Sequence, residues 1–164
     1  MAVTKPRKYT GTSDGPAKGK RAGLEEFVRQ VELLSDGVLW SNGTWVVRNQ
    51  IGKTALSVHA TGRAVDLSWR KLGDKGKVNG RERAEAVINL LVTNANFLKI
   101  ECVLDYFPGP FGRGWRCDRN SWQNYSKATI SQAPGGDWYH IEIAPIFADD
   151  PAQYKVRFEK LKQV

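Results

Sequence analysis

Histidine, cysteine and methionine are scarce in this chain, with two, two and one copies among 164 residues. Cys102 and Cys117 stand apart, which excludes the paired C-x-x-C spacing of a thiolate zinc site. Two readings of the cysteines stay open: a disulfide across the Gly/Pro-rich loop between them, or free thiols. Long apolar runs are absent as well, so no membrane span is expected. Residues 1 to 21 are rich in Lys, Arg, Gly and Pro and lack the apolar region of a secretory signal.

Acidic charge is in deficit, with 17 Asp and Glu against 25 Lys and Arg, for a net charge of +8. Much of the excess lies at one end. Lys5, Arg7, Lys8, Lys18, Lys20 and Arg21 face only Asp14 there, six cations against one anion. Such a composition predicts a basic, flexible tail over residues 1–21, followed by one domain over 22–164. The tail suits phosphate-bearing polymers: anionic wall glycopolymers, or less readily nucleic acid, for which no base-reading motif accompanies the charge.

Within the domain, Leu24, Phe27, Val28, Val31 and Leu34 recur at three- and four-residue spacing, predicting a helix over 22–34 that Ser35-Asp36-Gly37 stops. Asn42-Gly43 between Val38-Leu39-Trp40 and Thr44-Val47 predicts a β-hairpin. Short extended pieces are expected at 56–59 and 64–69, a turn-rich loop at 73–80 and a second helix over 81–97. A strand at 100–107, a long surface loop at 108–119, a strand at 138–144 and a helix at 151–161 follow. This order does not alternate as βαβ units do, so the predicted class is α+β, a mainly antiparallel sheet with flanking helices.

The two histidines carry the chemistry. Each stands beside carboxylates, in Ser57-Val58-His59-Ala60-Thr61-Gly62-Arg63-Ala64-Val65-Asp66 and in Asp137-Trp138-Tyr139-His140-Ile141-Glu142. His59 and Asp66 converge on one ion only if the backbone reverses between them, and Gly62 with its free φ permits that reversal. His140 then supplies a third ligand and leaves a fourth position open, the arrangement of a catalytic Zn2+. A base beside this site has two candidates. In an extended strand Glu142 shares the face of His140, whereas Asp137 reaches the metal only from a turn before the strand.

The Ser-x-His-x-x-Gly-x-Ala-x-Asp pattern of Ser57 to Asp66, with an acidic-x-x-His element downstream, resembles the VanY-like D-alanyl-D-alanine carboxypeptidases and the L-alanyl-D-glutamate endopeptidases of phage lysins. Both belong to the lysostaphin, D-Ala-D-Ala peptidase and hedgehog-type zinc fold. The resemblance implies a zinc peptidase of the peptidoglycan stem peptide, cytoplasmic until released or carried on a virion, with His59, Asp66 and His140 as ligands. It makes Ser57 a residue packed against the site or the substrate. An arginine upstream holds a substrate carboxylate in that family, and Arg48 is the match here. The family places Glu three residues before the last histidine, where this chain has Asp137, shorter by one methylene or about 1.5 Å.

Overall fold

A computed structural model describes residues 5–71 and 79–163. Six strands form one antiparallel sheet: β1 (Trp40–Ser41), β2 (Ala64–Ser68), β3 (Ile100–Asp105), β4 (Arg113–Arg116), β5 (Ser121–Asn124) and β6 (Trp138–Ile143), in the order β1-β2-β6-β3-β4-β5. Four helices flank it: α1 (Ala22–Leu34), α2 (Arg81–Thr93), the single turn α3 (Ala95–Leu98) and α4 (Pro151–Leu161). The class is α+β, as the sequence predicts. Among the described residues no helix is long and apolar enough to cross a membrane.

Strand periodicity sorts the two faces of the sheet. Val65, Leu67, Val103, Tyr139, Ile141 and Ile143 point into the core with the buried face of α1. Asp66, Ser68, Cys102, Leu104, Trp138, His140 and Glu142 point the other way and line a cavity. On the core side Phe27 of α1 meets Tyr154 and Phe158 of α4 edge-on, at ring-centroid distances of 5.2 and 5.7 Å. Full burial of one such ring contributes about 1.5–3 kcal/mol. At the start of α1, the Gly23 N–H donates to the Ala148 carbonyl at 2.7 Å, and a Cβ there would stand 1.9 Å from the Phe147 oxygen. Only glycine fits so close a backbone approach.

Several expectations need correction. The Asn-Gly hairpin does not form. Trp40 and Ser41 instead pair with Ser68 and Leu67 on the edge of β2, and the Thr44 hydroxyl donates to Glu25 of α1. Val46 and Val47 are exposed, so a second strand there would have no face to bury. Residues 58–61 form a 3₁₀ turn, not an extended piece. The predicted helix over 81–97 is broken at Asn94. The presumed surface loop 108–119 contains β4, which pairs with both β3 and β5. Most of the turn-rich stretch 73–80 lies outside the described residues.

The basic flexible tail is the largest correction. Its described part, residues 5–21, lies along the domain because its polar groups meet buried partners. Arg7 donates its backbone N–H to the Cys117 carbonyl at 2.8 Å and its guanidinium to the Ile100 carbonyl. Thr10 Oγ1 donates to Glu101 at 2.6 Å, and Asp14 accepts two bonds from Arg63, at 2.8 and 2.9 Å. Arg63 is fully buried and also donates to the carbonyls of Gly11 and Ile143. Burial pushes the neighbouring Glu101 carboxyl up, against the opposing pull of Thr10 and Arg63.

Arg63→Ala therefore strands a buried carboxylate and two carbonyls, and is expected to destabilise the fold by about 3–5 kcal/mol. Urea unfolding measures it. A loss below about 1 kcal/mol would show that the segment is not held through this guanidinium.

Candidate metal centre

Ser57 starts the turn that presents His59. Its hydroxyl accepts from the His59 backbone N–H at 3.4 Å, in the manner of a helix N-cap, and Gly62 closes the turn with φ +70° while its N–H returns to the His59 carbonyl at 3.1 Å. The chain then enters β2, which carries Asp66 to the cavity face. Asp66 lies directly opposite His140 in the β2–β6 register. Such cross-strand neighbours have Cβ atoms about 4.5–5.5 Å apart, within reach of one small ion.

The three side chains converge. Each of His59, Asp66 and His140 offers a ligand atom, and these atoms all lie within 4.8 Å of one another. Asp66 bridges the imidazoles: Oδ2 is 3.2 Å from His59 Nε2 and Oδ1 is 3.0 Å from His140 Nδ1. The two rings meet edge-on with centroids 4.9 Å apart. Two nitrogens and a carboxylate this close together could hold a metal ion. Both histidines are buried, and Asp66 is half-buried.

Carboxylates on both sides of His140 favour its charged form. Burial disfavours the charged imidazole of His140, yet Asp66 and Glu142 at its two nitrogens overcome this and push its pKa up to about 10. Burial likewise opposes the Asp66 charge, and its bonds to His140 and His59 still hold it well below the usual carboxylate range. A cation entering here displaces the His140 proton.

The other predicted residues separate. Glu142 is buried and doubly engaged, with Oε1 2.9 Å from His140 Nε2 and Oε2 accepting from the Tyr9 hydroxyl at 2.7 Å. Asp137, at the mouth of β6, is held by Arg70, whose Nη1 donates to both carboxylate oxygens at 2.8 and 2.9 Å. Arg70 lines the cavity, whereas Asp137 is buried behind it. Arg48 is exposed at the cavity, kept close because its carbonyl accepts from the Ser57 N–H at 3.0 Å. Ser57 also lines the cavity, so it is both the cap of the turn and part of the wall.

The cavity holds about 600 Å³. Arg48, Lys53, Arg70 and Arg116 place cations around it, and Trp138 stacks on Tyr106 as part of its wall, with centroids 4.6 Å apart. Cys102 faces it with an unlinked, buried thiol, which burial holds well above the ordinary range and so far from a metal-binding thiolate. Cys117 is also unlinked and belongs to the core cluster.

Sequence reasoning missed Arg70, which no motif marks, and Tyr9, for which a signal exists: it is the one aromatic residue in the basic stretch 1–21. The arrangement brings a group that could hold a metal ion, the Glu142 carboxylate and several cations together around one cavity. No protein-family model matches the chain, and no match to a curated protein or a solved structure is found.

Proposed function

We propose that the protein is a zinc-dependent peptidase of the peptidoglycan stem peptide, with a fold of the hedgehog and D-Ala-D-Ala-peptidase type. The observation that carries this reading is the convergence of His59, Asp66 and His140, with ligand atoms within 4.8 Å, at a cation-lined cavity. Zinc held there supplies Lewis acidity, lowering the pKa of a water toward about 7 and polarising the scissile carbonyl.

The chain's own residues divide the remaining work. Both oxygens of Glu142 are taken by His140 and Tyr9, so it serves the ligand and not the water. Asp137 is then the base, accepting the water proton and returning it to the departing amine. Arg70, which lines the cavity, holds that carboxylate just behind the wall and gives way for it to act. Arg48, exposed and unshielded by the fold, binds a substrate carboxylate in the bidentate way open to a guanidinium. Stem peptides carry such carboxylates.

A second reading has its own observation: both candidate bases, Asp137 and Glu142, are engaged by other side chains. It makes the protein a zinc-containing domain that binds wall peptide without cutting. Mass spectrometry of peptidoglycan digested with zinc-loaded protein decides between them. New amino termini within the stem peptide are expected, and they disappear on chelation. Intact stem peptides from several wall types, with zinc bound, would leave only the binding domain.

The basic residues also bear on partners. Arg7 and Arg21 are spent on bonds within the protein and Lys20 pairs with Glu25, whereas the exposed Lys5, Lys8 and Lys18 are left to meet an anionic wall polymer.

A further inference from the structure

His140 has two ring nitrogens, and the geometry gives each a different task. Nδ1 faces Asp66 at 3.0 Å, on the side where His59 also converges, while Nε2 points to Glu142 Oε1 at 2.9 Å. A metal-ligating imidazole needs its free nitrogen protonated and anchored, since that hydrogen bond fixes both the tautomer and the ring orientation. Glu142 can anchor it only while its own carboxylate is held still. Its other oxygen accepts from the Tyr9 hydroxyl at 2.7 Å.

Tyr9 comes from the other end of the chain, and its place is fixed independently of the site. Its neighbour Thr10 bonds Glu101 through both hydroxyl and backbone N–H, at 2.6 and 3.2 Å. The Arg116 guanidinium lies over the Tyr9 ring at 4.4 Å. Burial and the adjacent Glu142 charge push the phenol pKa far up, so the hydroxyl stays a donor at physiological pH.

We infer that the N-terminal segment is a working part of the metal centre, in which Tyr9 is a positioning residue that orients Glu142 and through it presents His140 Nδ1 to the ion. The inference rests on the metal reading above, and it extends that reading to a segment whose composition suggests only a solvated arm. Three parts of the chain thus meet in a relay of side chains: Tyr9 hydroxyl to Glu142, Glu142 to His140 Nε2, and His140 Nδ1 to the ligand cluster.

Metal titrations of the full chain test it, with Zn2+ and then Co2+ as the only added ligands. Loss of a partner behind a metal-bound histidine typically weakens the metal about 10- to 100-fold. Glu142→Gln is expected to fall in that range, and Tyr9→Phe, which removes one hydroxyl, to weaken Zn2+ about 3- to 10-fold and to shift the visible absorption of the Co2+ form. Asp149→Asn, which loosens the same segment at Arg21, away from Tyr9 and Glu142, is expected to leave affinity within about twofold of wild type. Tyr9→Phe with unchanged affinity and an unchanged Co2+ spectrum would overturn the inference, as would an equal loss in Asp149→Asn.

A measurement on the wild type keeps the test independent of how any variant folds. In the Zn2+-loaded protein, proton–nitrogen correlation of the histidine rings should show His140 protonated at Nε2 and metal-bound at Nδ1. The reverse tautomer would overturn the inference while leaving the metal site intact. Wild type that takes up no metal would overturn the metal reading itself, and this one with it.

Discussion

Asp137→Asn is expected to lower the turnover of a stem-peptide substrate about 10²- to 10⁴-fold while metal content stays at the wild-type level, the range in which a positioned general base contributes. The reason is local. Among the acidic residues of the two histidine segments, Asp66 is taken up by the imidazoles and Glu142 by His140 and Tyr9. Among the described residues, the Asp137 carboxylate is held by Arg70, a cavity residue 32% exposed at its side chain. Glu142→Gln should give the complementary result: weakened metal affinity, with turnover largely recovered when zinc is saturating. Steady-state kinetics at low and high zinc on both variants separate the two roles. Lost turnover at saturating zinc in Glu142→Gln, with Asp137→Asn unaffected, would exchange them.

Asp66→Ala carries the second large effect. Structural zinc sites with four ligands bind with about 10–16 kcal/mol, so one ligand in four is worth about 3 kcal/mol, somewhat over a hundredfold in affinity. Asp66 should exceed this share because its two oxygens also hold both imidazoles in place. Its removal leaves His140 with only one carboxylate, Glu142. Zinc titration of Asp66→Ala is expected to show a loss of at least about a hundredfold, and hydrolysis should fall to background at stoichiometric zinc. Affinity within a few-fold of wild type would remove Asp66 from the ligand set.

How far these features could be read from the sequence depended on whether their causes were local. Helices α1 and α4 begin and end where the apolar period and their flanking residues put them, Ser35-Asp36-Gly37 for one and Pro151 for the other. The convergence of His59 and Asp66 was equally legible, because Gly62 between them permits the chain to reverse, and its φ of +70° bears this out. β4 was hidden in a run of Gly, Pro and Arg, since what makes it a strand is its place between β3 and β5 and not its own pattern. The Asn-Gly turn misled for the converse reason: a good turn cannot make a hairpin when Val46 and Val47 find nothing to pack on.

The N-terminal segment was the least legible part. Its charge and its glycines read as a solvated arm, while the contacts that hold it, from Arg7, Tyr9, Thr10 and Asp14, are polar and reach partners about fifty to more than a hundred residues away. Composition carries no trace of such pairings. The choice between Asp137 and Glu142 was closed to the sequence for the same reason, since it turns on Tyr9 and Arg70, whose side chains only the fold brings alongside.

The most direct test of the metal centre is elemental analysis of the purified full chain, wild type beside His59→Ala, after equilibration with a slight excess of Zn2+ and removal of the unbound ion. One zinc per chain in the wild type, and its loss in His59→Ala, is the expected result. Wild type that carries no zinc, or His59→Ala that retains it in full, would contradict a site built from His59, Asp66 and His140.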